Sequence, residues 1–117
     1  MNTKNRNSKR NRREDFPLVA WYSFELSLID RQKVRVTYDG VTYNQGHPNA
    51  VHFRLYGKAI SETGFRSHFT YLPAVEEYVT PYDYAKELSE HLWQEQKEKM
   101  TATEKAELQY GKQQRLF

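Results

Sequence analysis

The sequence predicts an α+β fold: a four- to five-stranded, mainly antiparallel sheet packed on one face by a C-terminal helix, with a disordered basic N-terminal arm. Three observations carry this expectation. Between residues 16 and 72, apolar and polar side chains alternate in short runs, the period of half-buried strands. From residue 81 the apolar spacing lengthens to that of a helix, directly after a helix-start signal. Residues 1–13, MNTKNRNSKRNRR, hold no apolar side chain after Met1, so nothing they bury could offset the entropy of ordering them. The expected division is an arm over 1–13 and a single domain over 14–117, with its sheet in 16–72 and a helical region in 81–110.

The arm also carries the charge. Lys4, Arg6, Lys9, Arg10, Arg12 and Arg13 give it +6 with no acid, while the other 104 residues hold 12 basic and 15 acidic side chains, a balance of −3. An arm of this kind can lie along phosphates and release counterions; six charges engaged on B-DNA would give a salt slope near about −5. Nine Tyr, six Phe and two Trp favour strands and argue against a helical bundle. With no Cys, disulfides, thiol nucleophiles and thiolate zinc sites are excluded. The longest apolar run, residues 17–22, is far below the ~20 residues needed to span a bilayer, so the chain reads as soluble and cytoplasmic, with no membrane partner.

Residues 21–30, WYSFELSLID, put Tyr22, Phe24, Leu26 and Leu28 on one face and Ser23, Glu25 and Ser27 on the other. Residues 33–38 follow after a turn, with Val34, Val36 and Tyr38 opposed to Arg35 and Thr37. Asp39-Gly40 then reads as a type I′ turn that returns the chain as a strand through Val41, Thr42 and Tyr43. Residues 44–49, NQGHPN, read as a loop, because Gly46 and Pro48 break a strand and a residue before proline is held extended.

Two further strands, 51–56 and 65–71, form a central hairpin across a loop containing Gly57 and Gly64. Val51, Phe53 and Leu55 alternate with His52, Arg54 and Tyr56; Phe65, Phe69 and Tyr71 alternate with Arg66, His68 and Thr70. A register that keeps the apolar sets together gathers His52, Arg54, Tyr56, Arg66 and His68 on the other face. Arg grips phosphate, His moves protons near neutral pH and Tyr stacks on bases, so this cluster points to an anion-facing surface. Residues 74–79 show no clear element.

The helix is announced by Thr80-Pro81-Tyr82-Asp83: a Thr cap, Pro at the first helical position and an acid three residues after the cap. Tyr84, Ala85, Leu88, Leu92 and Trp93 form its apolar stripe, which weakens beyond Trp93. Residues 83–107 hold seven acids against four Lys, an acidic surface opposite in sign to the arm. Glu87, Glu90 and Glu95 with Trp93 are the candidate contacts for a protein partner, and Trp93 and Tyr110 candidate anchors for a partner or a homodimer. Thr101, with Glu104 three residues on, begins a second helix that Gly111 ends.

No catalytic motif stands out. His68-Phe69-Thr70 resembles the His-x-Thr element of two-histidine phosphoesterases, but those enzymes need two copies and the other candidate here reads His52-Phe53-Arg54. Ser67 and His68 are adjacent on a strand and point to opposite faces, so they form no nucleophile and base pair. Four scattered His without a His-Glu-x-x-His pattern give no metal motif, and no cofactor is expected. The leading expectation is a small non-enzymatic protein that contacts nucleic acid or a nucleoprotein complex through the arm and the Arg/His/Tyr face. The alternatives are a protein-interaction module, such as an inhibitor or regulator of a nucleic-acid-handling machine, acting through the acidic helices, and a metal-independent nuclease.

Overall fold

The computed structural model describes residues 12–99. Strands β1 (Trp21–Ser27), β2 (Lys33–Asp39), β3 (Ala50–Tyr56) and β4 (Phe65–Tyr71) form one antiparallel sheet in sequence order. Helix α1 (Thr42–Gly46) connects β2 to β3, α2 (Leu72–Glu76) follows β4, and the long α3 (Pro81–Lys99) packs on one face of the sheet. The expected α+β architecture is therefore present, with four strands.

The alternating strands dictate which face α3 covers. Leu26 faces Val34, Val36 faces Leu55, and Tyr38 faces Phe53, so the apolar sets of β1, β2 and β3 fall on one side. They bury against Ala85, Leu92 and Trp93 of α3, with Val75 of α2 and Ala59 and Ile60 of the β3–β4 loop completing the core. Burial of such side chains contributes roughly 1.5–3 kcal/mol each. The start of α3 matches its signal: Thr80 Oγ1 accepts from the Asp83 amide at 3.1 Å and donates to Asp83 Oδ2 at 2.6 Å. Buried Ser89 and Gln96 extend the stripe, while Tyr84 and Leu88 flank it half-buried.

Trp93 corrects the expectation of an exposed anchor. It is fully buried, and its Nε1 donates to Asp30 Oδ2 at 2.7 Å; Lys97 Nζ donates to the same oxygen at 2.6 Å. Earlier on α3, Glu90 accepts from the Ile29 amide at 2.8 Å. Glu90, Trp93 and Lys97 share one helix face by their spacing, so three side chains clamp the β1–β2 turn to α3.

The second correction lies after β2. Both sides of β2 are already paired, to β1 and to β3, so no position is left for the expected return strand at Val41 to Tyr43. Instead the Asp39 carboxylate accepts from the amides of Val41 and Thr42, at 3.0 and 2.9 Å, and starts α1 where a strand and a loop were expected. Gly40 does not take a positive φ. Its amide donates to Ala20 O at 2.9 Å, and a Cβ there would fall on the Leu18 carbonyl and 2.7 Å from the Tyr38 hydroxyl. Close approach, not turn geometry, requires glycine.

Aromatic side chains tie the segment before β1 to the sheet. Tyr38 and Tyr22 donate to the carbonyls of Leu18 and Pro17 at 2.5 and 2.8 Å, and Phe16 packs against Tyr22, Phe24 and Tyr82. Burial raises both phenol pKa values far above their ordinary range and keeps them donors. Of the expected arm, Arg12 pairs with Glu14 at 3.1 Å and Arg13 Nε donates to Val79 O at 2.8 Å. Lys4, Arg6, Lys9 and Arg10, and the expected helix over 101–110 with Tyr110, lie outside the described residues. None of the described helices is long and apolar enough to cross a membrane.

Candidate functional site

The β3–β4 register decides where the chemically capable side chains go. Leu55 faces Arg66 and Phe53 faces His68, whereas His52 faces Phe69, Arg54 faces Ser67 and Tyr56 faces Phe65. The expected five-residue cluster is therefore split: Arg66 and His68 stand on the α3 side, and His52, Arg54 and Tyr56 on the open side. Antiparallel pairing is set by the loop, which Gly57 closes by donating to Gly64 O at 2.9 Å, and this places Tyr56 opposite Phe65. A slip of one residue would exchange the faces. Because β4 is an edge strand, its apolar side chains are not obliged to point into the core.

On the α3 side His68 is committed to packing. Its Nε2 is 2.8 Å from Tyr84 Oη, and the Tyr84 ring stacks on Phe53 with centroids 5.1 Å apart. Burial, with Arg66 nearby, lowers the His68 pKa, so the ring is neutral at neutral pH. Arg66 is exposed near Glu95 and Lys99.

The open side is the concentration of recognition chemistry. Three rows of facing residues cross it: Trp21, Asp39, His52 and Phe69; Ser23, Thr37, Arg54 and Ser67; Glu25, Arg35, Tyr56 and Phe65. Tyr71, facing Ala50, extends the surface at one end. Trp21, Tyr56, Phe65, Phe69 and Tyr71 remain between 40% and 68% exposed, although one aromatic of this size would bury 150 Å² or more. Tyr56 and Phe65 pack with centroids 5.2 Å apart. Neither Arg35 nor Arg54 forms an ion pair with any described residue.

His52 sits beneath this surface. It is 4% exposed, its ring stacked on Phe69 at 4.1 Å and 14°, with Tyr43 of α1 edge-on to both, at 5.4 and 5.1 Å. Nε2 lies 2.5 Å from Ser67 Oγ, and buried Nδ1 has no hydrogen-bond partner. Burial and the Arg54 charge lower the His52 pKa, against a weaker opposing pull from Asp39. Burial would raise the Asp39 pKa, but the amides of Thr42 and Val41, aided by the Thr42 hydroxyl and His52, lower it overall. That carboxylate is thus an anion engaged by the backbone.

Phe65, Phe69, Tyr71, Trp21 and Arg35 were not singled out as site residues from the sequence. For Phe65, Phe69 and Tyr71 the signal is the pair of glycines closing residues 57–64, which makes the residues flanking that loop face each other; for Trp21 and Arg35 it is the alternation of β1 and β2, which sets them opposite the apolar face. Among the acidic candidates, Glu87 is exposed in a groove with Tyr78 and Tyr84, and Glu95 pairs with His91 at 3.1 Å. Among the described residues no group of three His, Cys, Asp or Glu could hold a metal ion. No family model, curated protein or solved structure matches the chain.

Proposed function

We propose that this chain is a small non-enzymatic binding protein that engages single-stranded nucleic acid, free or within a nucleoprotein complex, on the open face of its sheet. The observation that supports this reading is the exposure of five aromatic side chains on one sheet face, interleaved with Arg35 and Arg54, neither of them paired within the described chain. Aromatic rings offer stacking surfaces to bases of any sequence, and guanidinium groups between them meet phosphates. A duplex hides its base faces and cannot use such a surface. The basic residues Lys4, Arg6, Lys9 and Arg10 add phosphate contacts that are sequence-independent.

Binding to single-stranded and double-stranded DNA and RNA over a salt series tests the reading. Single strands should bind more tightly than duplex, and Arg35→Ala with Arg54→Ala should weaken binding and reduce the salt slope by about 1.4, at roughly 0.7 per phosphate contact. Arg66→Ala, on the other face, should leave affinity near wild type. Absence of binding at low salt refutes the proposal.

A second reading is favoured by the groove beside α3, a cavity of about 510 Å³ lined by Tyr78, Tyr84, Glu87, Leu88, Glu90 and His91. Its acids suit a basic peptide, as expected of a regulator or inhibitor of a nucleic-acid-handling machine; Glu87→Lys would then abolish partner capture while nucleic-acid binding stayed unchanged. A metal-independent nuclease is the reading least supported, since His52 and His68 occupy opposite faces of the sheet.

A further inference from the structure

At the end of the open face where α1 meets β3 and β4 lies a cavity of about 390 Å³ lined by Tyr43, His47, Ala50, Phe69, Thr70 and Tyr71. We propose that this cavity is a single-base slot, in which one nucleobase is held against the aromatic side chains of Phe69 and Tyr71. The inference rests on the nucleic-acid reading above and adds a specific place and stoichiometry to it.

Spacing is the first argument. Phe69 and Tyr71 are two residues apart on one face of β4, about 6.8 Å along an antiparallel strand, so both side chains border the same base-sized space. The two rings do not pack on each other: Phe69 instead contacts His52 and Tyr43. Across the ladder Tyr71 faces Ala50, whose methyl group leaves room that a larger side chain would fill.

Fixed orientation is the second. Phe69 is stacked on His52 on one side and held at its edge by Tyr43, yet it is 56% exposed, so the ring face away from His52 is open. A ring already held this way loses little conformational freedom when a base stacks on it. His52 is held in turn by Ser67 through Nε2. His52 is a positioning residue here, acting through Phe69.

Charge selects the occupant. Arg54 is two residues from His52 on the same face, close enough for its charge to act on that ring, and has no ion-pair partner among the described residues, while the nearby Asp39 carboxylate is occupied by two backbone amides. A planar group attached to a phosphate matches this arrangement better than an apolar side chain. His47 at the wall offers a hydrogen bond to a base edge.

The test uses the full chain and a short oligothymidylate carrying one fluorescent purine, as DNA and as its RNA counterpart, with thermal melts of every variant. Wild type should quench the purine. Tyr71→Ala and Ala50→Leu should each abolish quenching and weaken binding about tenfold or more while melting as wild type does, and Phe69→Leu should act likewise. If the oligonucleotide binds and is quenched equally by wild type, Tyr71→Ala and Ala50→Leu, the slot is refuted and the wider reading stands. If no oligonucleotide binds, both fail.

Discussion

The rings of His52 and Phe69 lie face to face across the β3–β4 ladder, 4.1 Å between centroids and 14° from parallel. This contact joins the stability of the sheet to its exposed surface, because the same histidine that supports Phe69 is buried, with one nitrogen unpaired. A proton added to that ring would place a charge in a poorly solvated site beside Arg54.

Stability should therefore fall with acidification. Both His52 and His68 have folded pKa values below the ordinary 6.5, each mainly through burial, so the unfolded chain binds protons that the folded chain does not. Their contribution is complete above about pH 7 and is lost as pH falls from about 6.5 through the folded values. Melting temperature should be flat between about pH 7 and 8 and decline below. His52→Phe keeps a ring in the stack and removes the unpaired nitrogen; it should melt at or above wild type near pH 5.5 and show a shallower decline. An unchanged profile in that variant would contradict the assignment.

The clamp on the β1–β2 turn makes Asp30 expensive to lose. Asp30→Ala leaves the Trp93 indole N–H and the Lys97 ammonium without this acceptor in a partly buried site, at a cost of roughly 2–3 kcal/mol in urea unfolding. Trp93→Ala, which removes a fully buried side chain, should cost about 3–5 kcal/mol. If Trp93→Ala were tolerated with loss only of partner capture, the core assignment would be wrong.

Val79 links α2 to α3 with φ at +76°, a conformation disfavoured for a β-branched residue. Its side chain is 47% exposed, and its carbonyl rather than its side chain meets Arg13. Val79→Gly relieves the strain and should stabilise by about 0.5–1 kcal/mol after the added entropy of glycine, a rise of a few degrees in Tm.

Gly40 should tolerate no side chain. Gly40→Ala drives a methyl group into the Leu18 carbonyl and the Tyr38 hydroxyl, both held by their mutual hydrogen bond, so the variant should lose several degrees in Tm or fail to accumulate as folded protein. Gly46→Ala, with open space around the added carbon, is the control and should lie close to wild type.

Much of the fold was legible because local pattern and tertiary burial agree in it. Alternation in β1 and β2, the Thr80 and Asp83 capping box and the residue spacing of α3 each state their own structure. The site was harder for two physical reasons. Asp39-Gly40 has hairpin chemistry, but β2 is saturated with partners on both sides, a tertiary fact that turns the same Asp into the start of α1. Phe65, Phe69 and Tyr71 look like a buried set, and apolar patterning assigns them inward; on an edge strand the register is fixed by the Gly57 to Gly64 closure instead. The sequence therefore names the right strand pair and the wrong face, and the aromatic surface emerges only once Tyr56 is seen opposite Phe65.

The most direct measurement is amide and aromatic NMR during titration of the full chain with a short single-stranded oligonucleotide. Expected are shifts concentrated at Arg54, Tyr56, Phe65, Phe69 and Tyr71, with Arg35 and Trp21 at the margin and little change along α3. Shifts confined to Tyr78, Glu87 and His91, or none at saturating oligonucleotide, would contradict the open sheet face as the binding surface.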